Sequence, residues 1–216
     1  LAKAARIAEE SFKDVVNSIE VGISETDMYR IYNQSIVAKG AEPYFCVIAA
    51  DKRSAYVDTI PHKDNKVKDG SVIRFDFGCR YNYYRSDIAR MVVVGKNDKA
   101  VEYYKWIREG VEQAVIATKP GVLAGDIFNI MSCSVQAGIK EYRRTHCGHG
   151  IGITMYDLPR IVPDSKAVIQ KDMVLYYETP YYEIGWGGMM LEESIIVTEN
   201  GAEYITSGDH DLIVIR

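Results

Sequence analysis

A ten-residue pattern occurs twice in this chain. Gly22-Ile23-x-x-x-Asp27-Met28-Tyr29-x-Ile31 returns 99 positions later, from Gly22 to Gly121, as Gly121-Val122-x-x-x-Asp126-Ile127-Phe128-x-Ile130. The surroundings recur as well. Leu1, Ala5, Ala8, Phe12, Val15, Val16 and Ile19 make a stripe with helical spacing, and so do Val101, Tyr104, Ile107, Val111 and Val115. Gly22 breaks the first stripe and Pro120-Gly121 the second. A further helical stripe follows each break: Met28, Ile31, Tyr32 and Ile36, then Ile127, Ile130, Met131 and Val135. Ser24, with Asp27 three residues on, predicts an N-cap. Strand-like runs complete each unit: Ser71–Cys79 and Tyr84–Val94 in the first, Met173–Glu183 and Gly188–Thr198 in the second. Residues 42–60 read as a strand and then a long loop, and Asn200-Gly201 predicts a tight turn before Ala202–Thr206. The repeated order of helix, helix and hairpin predicts an α+β domain. Its two similar halves share one antiparallel sheet, with helices on the outer face.

Composition narrows the function. With 216 residues, 47% hydrophobic and 26% charged, the chain buries a sizeable core. The net charge is −4, and no run of lysine or arginine offers an electrostatic footprint for nucleic acid. No stretch of about 18 apolar residues predicts a membrane span. No signal peptide is visible, and the four scattered cysteines, Cys46, Cys79, Cys133 and Cys147, read as reduced thiols of a cytoplasmic protein. Cys147 lies two residues before His149, so a ligand role competes with the plainer reading of a buried thiol. Leu1 already lies inside a helical pattern, which predicts further chain upstream. The expected organisation is one catalytic domain over 1–216 whose N-terminal companion is absent here.

Four carboxylates stand out because they interrupt apolar, strand-like runs: Asp76, Asp87, Glu178 and Glu192. Ionised groups are expensive there unless paired or bound to metal. A turn centred on Tyr81-Asn82 makes Asp76 and Asp87 direct cross-strand partners, with Cβ atoms ~5 Å apart. A turn centred on Gly185 does the same for Glu178 and Glu192. Each half thus contributes an acidic pair, and His149 lies between them in a glycine-rich turn. Oxygen donors with one imidazole suit two divalent cations. Such ions acidify a water and polarise a carbonyl, and Glu178 is placed to take the proton. The expected chemistry is hydrolysis of an amide or a similar bond.

These residues carry a family resemblance. Phe75-Asp76-Phe77-Gly78, Tyr84-x-Ser86-Asp87-Ile88-x-Arg90, Gly148-His149-Gly150-Ile151-Gly152, Glu178-Thr179-Pro180 and Glu192-Glu193-Ser194-Ile195, in that order, resemble the pita-bread metallopeptidases. That family contains Xaa-Pro dipeptidases and aminopeptidases, methionine aminopeptidases and creatinase. The resemblance implies a pita-bread fold and a dinuclear site of Asp76, Asp87, His149, Glu178 and Glu192. Manganese or cobalt is the expected metal, with zinc and iron as alternatives. It also implies a dipeptide or other small-molecule substrate, and a homodimer as partner state. Pro61-His62 resembles the family's upstream active-site histidine, which contacts substrate.

Two departures bear on specificity. Where the peptidases carry a second histidine after the His-Gly-Ile-Gly turn, this chain has Tyr156. Tyr156 can donate to an oxyanion but is a poor base. Where Xaa-Pro dipeptidases carry an arginine two residues before the last ligand, this chain has Met190. The leading expectation is an Xaa-Pro dipeptidase or aminopeptidase. One alternative is a non-peptide amidine hydrolase of the ectoine hydrolase type, which the run from Glu178 with Tyr156 resembles. The other is a binding module that has kept the fold without the chemistry.

Overall fold

The computed structural model describes residues 1–216. Helices α1 (Ala2–Val16) and α2 (Glu25–Ala38) lead into strands β1 (Glu42–Ala50), β2 (Val72–Tyr81), β3 (Tyr84–Arg85) and β4 (Ile88–Val94). The second half repeats the order: α3 (Asp98–Ala117), α4 (Ala124–Gln136), β5 (Gly148–Gly150), β6 (Asp157–Arg160), β7 (Val174–Glu178), β8 (Tyr181–Glu183), β9 (Gly187–Met189) and β10 (Glu192–Val197). Strands β11 (Ala202–Tyr204) and β12 (Ile213–Ile215) close the chain. Ser24 caps α2 as its spacing predicts. Its hydroxyl oxygen accepts from the Asp27 N–H at 3.1 Å, and its O–H donates to the Asp27 carboxylate at 2.6 Å.

One large sheet runs β1-β2-β4-β10-β7-β5-β6, with β3 on β2, β11 on β10 and β12 on β4. All its pairings are antiparallel except that of β12 with β4. The two halves meet where β4 touches β10, through a single pairing of Ala89 with Glu192. Of the two cores, one belongs to the first half, and the other adds Val72, Met91 and Val93 of the first half to the second. Phe12 of α1 stacks on Phe77 at 5.1 Å and meets Phe75 edge-on at 5.2 Å. On the other side Ile107, Val111 and Met131 pack with Leu175, Tyr177 and Ile195. Burying each such side chain contributes roughly 1.5–3 kcal/mol.

The duplication reaches beyond the matched sequence. Gly22 and Gly121 both take positive φ, 102° and 96°. The Gly22 N–H donates to the Val67 carbonyl at 2.8 Å, and the Gly121 N–H to that of Ile169 at 2.9 Å. The return bonds match too, from Val67 N–H to Ile23 and from Ile169 N–H to Val122. Each half therefore pins the start of its second helix to a loop in the same way.

The two hairpins fare differently against their predicted registers. Glu178 faces Glu192 as expected. In the first hairpin the turn lies one residue further on, at Asn82-Tyr83, where both residues have positive φ (47° and 71°). Tyr81 pairs with Tyr84, and Asp76 faces Ala89 rather than Asp87. A tight turn of this hand suits the right-handed twist of the strands and needs two positive-φ residues. The correction moves the pairing by two residues, so Asp87 stays on the face of Asp76.

Candidate metal centre

Four strands and the break before β4 deliver the five sequence-selected residues to one cavity of about 630 Å³. Asp76 lies midway along β2, Asp87 in the break before β4, His149 in β5, Glu178 at the end of β7 and Glu192 at the start of β10. Asp87, His149 and Glu192 each offer one ligand atom, and these atoms all lie within 4.8 Å of one another. His149 Nε2 is 3.7 Å from Asp87 Oδ2. Its Nδ1 lies 2.8 Å from the Gly150 carbonyl. A carbonyl only accepts, so Nδ1 carries the proton and Nε2 turns its lone pair toward the acids. The buried His149 ring stacks on Tyr176 at 6.0 Å.

The other two acids have partners that sequence reasoning missed. Arg74 donates to Asp76 at 3.2 Å, and its other donors reach the carbonyls of Ser54, Tyr56 and Val57. Its signal was legible, since residues two apart on a strand share a face. His146 Nε2 lies 2.8 Å from Glu178 Oε1, and Arg144 3.8 Å from Oε2. Both come from an irregular segment with no periodicity to mark them. Asp58 and Tyr182 also line the cavity.

The electrostatics favour bound cations. Burial raises the Asp76 carboxyl to about 6, with Arg74 opposing and Glu178 and Asp58 adding to the shift. Burial, then Asp76 and Glu178, push Asp87 well above the usual carboxylate range. Burial and Asp87 do the same to Glu192. Burial also works to raise Glu178, but the His146 hydrogen bond and charge, with Arg144 and His149, outweigh it and hold Glu178 low. Burial lowers His149, which keeps the imidazole neutral as a ligand must be. Crowded acids that repel, beside a neutral imidazole, are a donor set that divalent ions fit.

Tyr156 and Met190 line the same cavity. The Tyr156 ring sits edge-on to His149 at 4.6 Å. Burial and the surrounding acids raise its hydroxyl to about 12, so it keeps its proton. His62 lies elsewhere. It is not among the cavity-lining residues, its side chain is 55% exposed, and its Nδ1 accepts from the Asp64 N–H at 3.2 Å. Cys147 is a buried thiol near Ser132 and Tyr142, raised to about 11 by burial, and does not line the cavity.

A duplicated, curved antiparallel sheet with buried acids from both halves defines the class: a pita-bread domain with a group of side chains that could hold a metal ion. The chain belongs to metallopeptidase family M24, whose model matches residues 1–199. It is 32% identical over 220 residues to an Xaa-Pro dipeptidase of Pyrococcus furiosus, covering 99% of this chain and 62% of the relative. Among solved structures, an X-Pro aminopeptidase from Thermotoga maritima superposes with a TM-score of 0.93 at 27% identity, covering 99% of this chain and 62% of that one. An Xaa-Pro dipeptidase from Bacillus anthracis gives 0.93 at 29% identity, covering 100% and 61%. The chain thus spans about three-fifths of the length of these relatives. No helix is long and apolar enough to cross a membrane.

Proposed function

We propose that this domain carries the active site of a metal-dependent Xaa-Pro dipeptidase or aminopeptidase. The observation that carries the reading is the convergence of Asp87, His149 and Glu192 within 4.8 Å, in a cavity that Asp76 and Glu178 also line. These five residues would hold two divalent ions, with manganese or cobalt, and zinc or iron as alternatives, implied by the family resemblance; the oxygen-rich set itself accepts several ions. Bound there, the ions supply Lewis acidity for a carbonyl and acidify water.

The chain's own residues supply the rest. Glu178, held low by His146 and Arg144, accepts the proton of the attacking water and can return it to the leaving amine. Tyr156, protonated and beside His149, donates to the oxyanion that forms as the amide carbon becomes tetrahedral. The apolar rims of Phe45, Val47, Val57 and Met190 suit a proline ring. His62, outside the cavity, is given no step. A cytoplasmic setting, read from the scattered free cysteines, and a homodimer, implied by the family resemblance, complete the proposal.

The test is hydrolysis of Xaa-Pro dipeptides after chelator stripping and metal restoration. Activity should vanish with the chelator and return with manganese or cobalt. Metal-loaded protein that ignores every Xaa-Pro peptide would refute the peptidase assignment.

A further inference from the structure

Five carboxylates line the cavity: Asp58, Asp76, Asp87, Glu178 and Glu192. Arg144 is the one lysine or arginine among the lining residues. A guanidinium has donors on three nitrogens and no acceptor, so counting its bonds shows whether it is committed. Arg74, which is not among the lining residues, is committed. All three of its nitrogens donate, to Ser54, Tyr56, Val57 and Asp76. Arg144 is not. Its Nε donates to the His146 carbonyl at 3.4 Å, and that is its only hydrogen bond within the protein. One terminal nitrogen stands 3.8 Å from Glu178, beyond hydrogen-bond reach, and the other has no partner.

The free fork is nonetheless held in place. Tyr142, two residues before, is fully buried, and its carbonyl accepts from Gln136 Nε2 at 2.9 Å. Cys147, three residues after, donates its N–H to Ile161 at 2.8 Å. The guanidinium lies 5.9 Å from the Tyr182 ring, within cation–π range, and the Arg144 side chain is only 16% exposed. An anchored, planar pair of unspent donors in an acidic cavity matches a carboxylate in geometry and sign.

We infer that Arg144 is the specificity-determining residue that binds the free carboxylate of the substrate. Met190, which lines the same cavity, is apolar and offers a carboxylate no donor. The inference rests on the hydrolase reading above, and it selects substrates with an anionic end over capped or internal peptides.

The test compares Ala-Pro with its C-terminal carboxamide, by hydrolysis and by calorimetric binding to metal-loaded protein, with ectoine as a cyclic amidine carboxylate in the binding arm. Wild type should favour the acid over the amide by roughly 10- to 100-fold, the range for one charge-assisted contact. Arg144→Met should bring that ratio close to one through a rise in KM for the acid, while any fall in kcat from a less acidic Glu178 strikes acid and amide alike. Arg144→Lys should keep part of it. An equal loss on acid and amide would mean that Arg144 only positions Glu178, and would overturn the inference. An unchanged ratio would overturn it too. If wild type cleaves no Xaa-Pro peptide, the proposed function fails separately; Arg144 then stands if ectoine binding is lost in Arg144→Met. Binding of neither Ala-Pro nor ectoine overturns it.

Discussion

Glu178 differs from the acids around it because His146 and Arg144 hold its carboxyl low while Asp76, Asp87 and Glu192 are raised. It is the member of the set ready to accept a proton at neutral pH. Glu178→Gln keeps the shape but removes the base and one proposed ligand charge, so kcat measured at saturating manganese should fall by about 10²–10⁴-fold, the range for a lost general base. A fall under tenfold in steady-state assays would contradict that role. Tyr156→Phe removes one hydroxyl and should lower kcat by about 10²-fold, as for a lost oxyanion donor, while metal affinity measured by calorimetry stays put. At this scale the candidate ligands were legible in the sequence, because a carboxylate inside an apolar strand needs an explanation. His146 and Arg144 stayed hidden, since a loop gives no period from which to infer a face.

At the scale of elements, the weak seam is the contact of β4 with β10, with its single paired position. Arg90 reinforces it. It donates to the Glu192 carbonyl at 2.9 Å and the Ala89 carbonyl at 3.0 Å, and pairs with Glu193 at 2.8 Å and Glu9 at 3.4 Å. Arg90→Met would leave the buried Glu193 without its main counter-charge, and His210 offsets that only in part. The expected loss is about 3–5 kcal/mol in urea unfolding. A loss below about 1 kcal/mol would show that the seam does not depend on Arg90. The helices were legible from spacing and caps, and the second hairpin from Gly185. The first hairpin was not, because its turn places Tyr83 at positive φ, where a bulky side chain is unexpected.

Across the whole molecule, the acidic cavity couples stability to pH. Asp76, Asp87 and Glu192 have folded pKa values above their unfolded values near 4. The folded state therefore binds more protons, and metal-free stability falls as pH rises from about 4 through the Asp76 value of about 6. Glu178 is lowered, so its contribution has the opposite sign and is lost on acidification below about 4.5. Thermal melts of chelator-treated protein should show Tm declining between about pH 4.5 and 7, and a gain on adding manganese that grows over the same window. A manganese effect independent of pH would argue against ions among these acids. The duplicated architecture itself was readable from a ten-residue repeat. The way the halves join was not, since it depends on β4 and β10, which lie far apart in sequence.

On the proposed reading, Asp76, Asp87, His149, Glu178 and Glu192 form one metal centre. Calorimetric titration of chelator-stripped protein with manganese tests it most directly. Two ions per chain should bind, and Asp87→Asn and Glu192→Gln, checked for intact fold by circular dichroism, should each weaken binding at least about tenfold. Wild-type protein that takes up no divalent ion, or folded variants that bind as tightly as wild type, would contradict it.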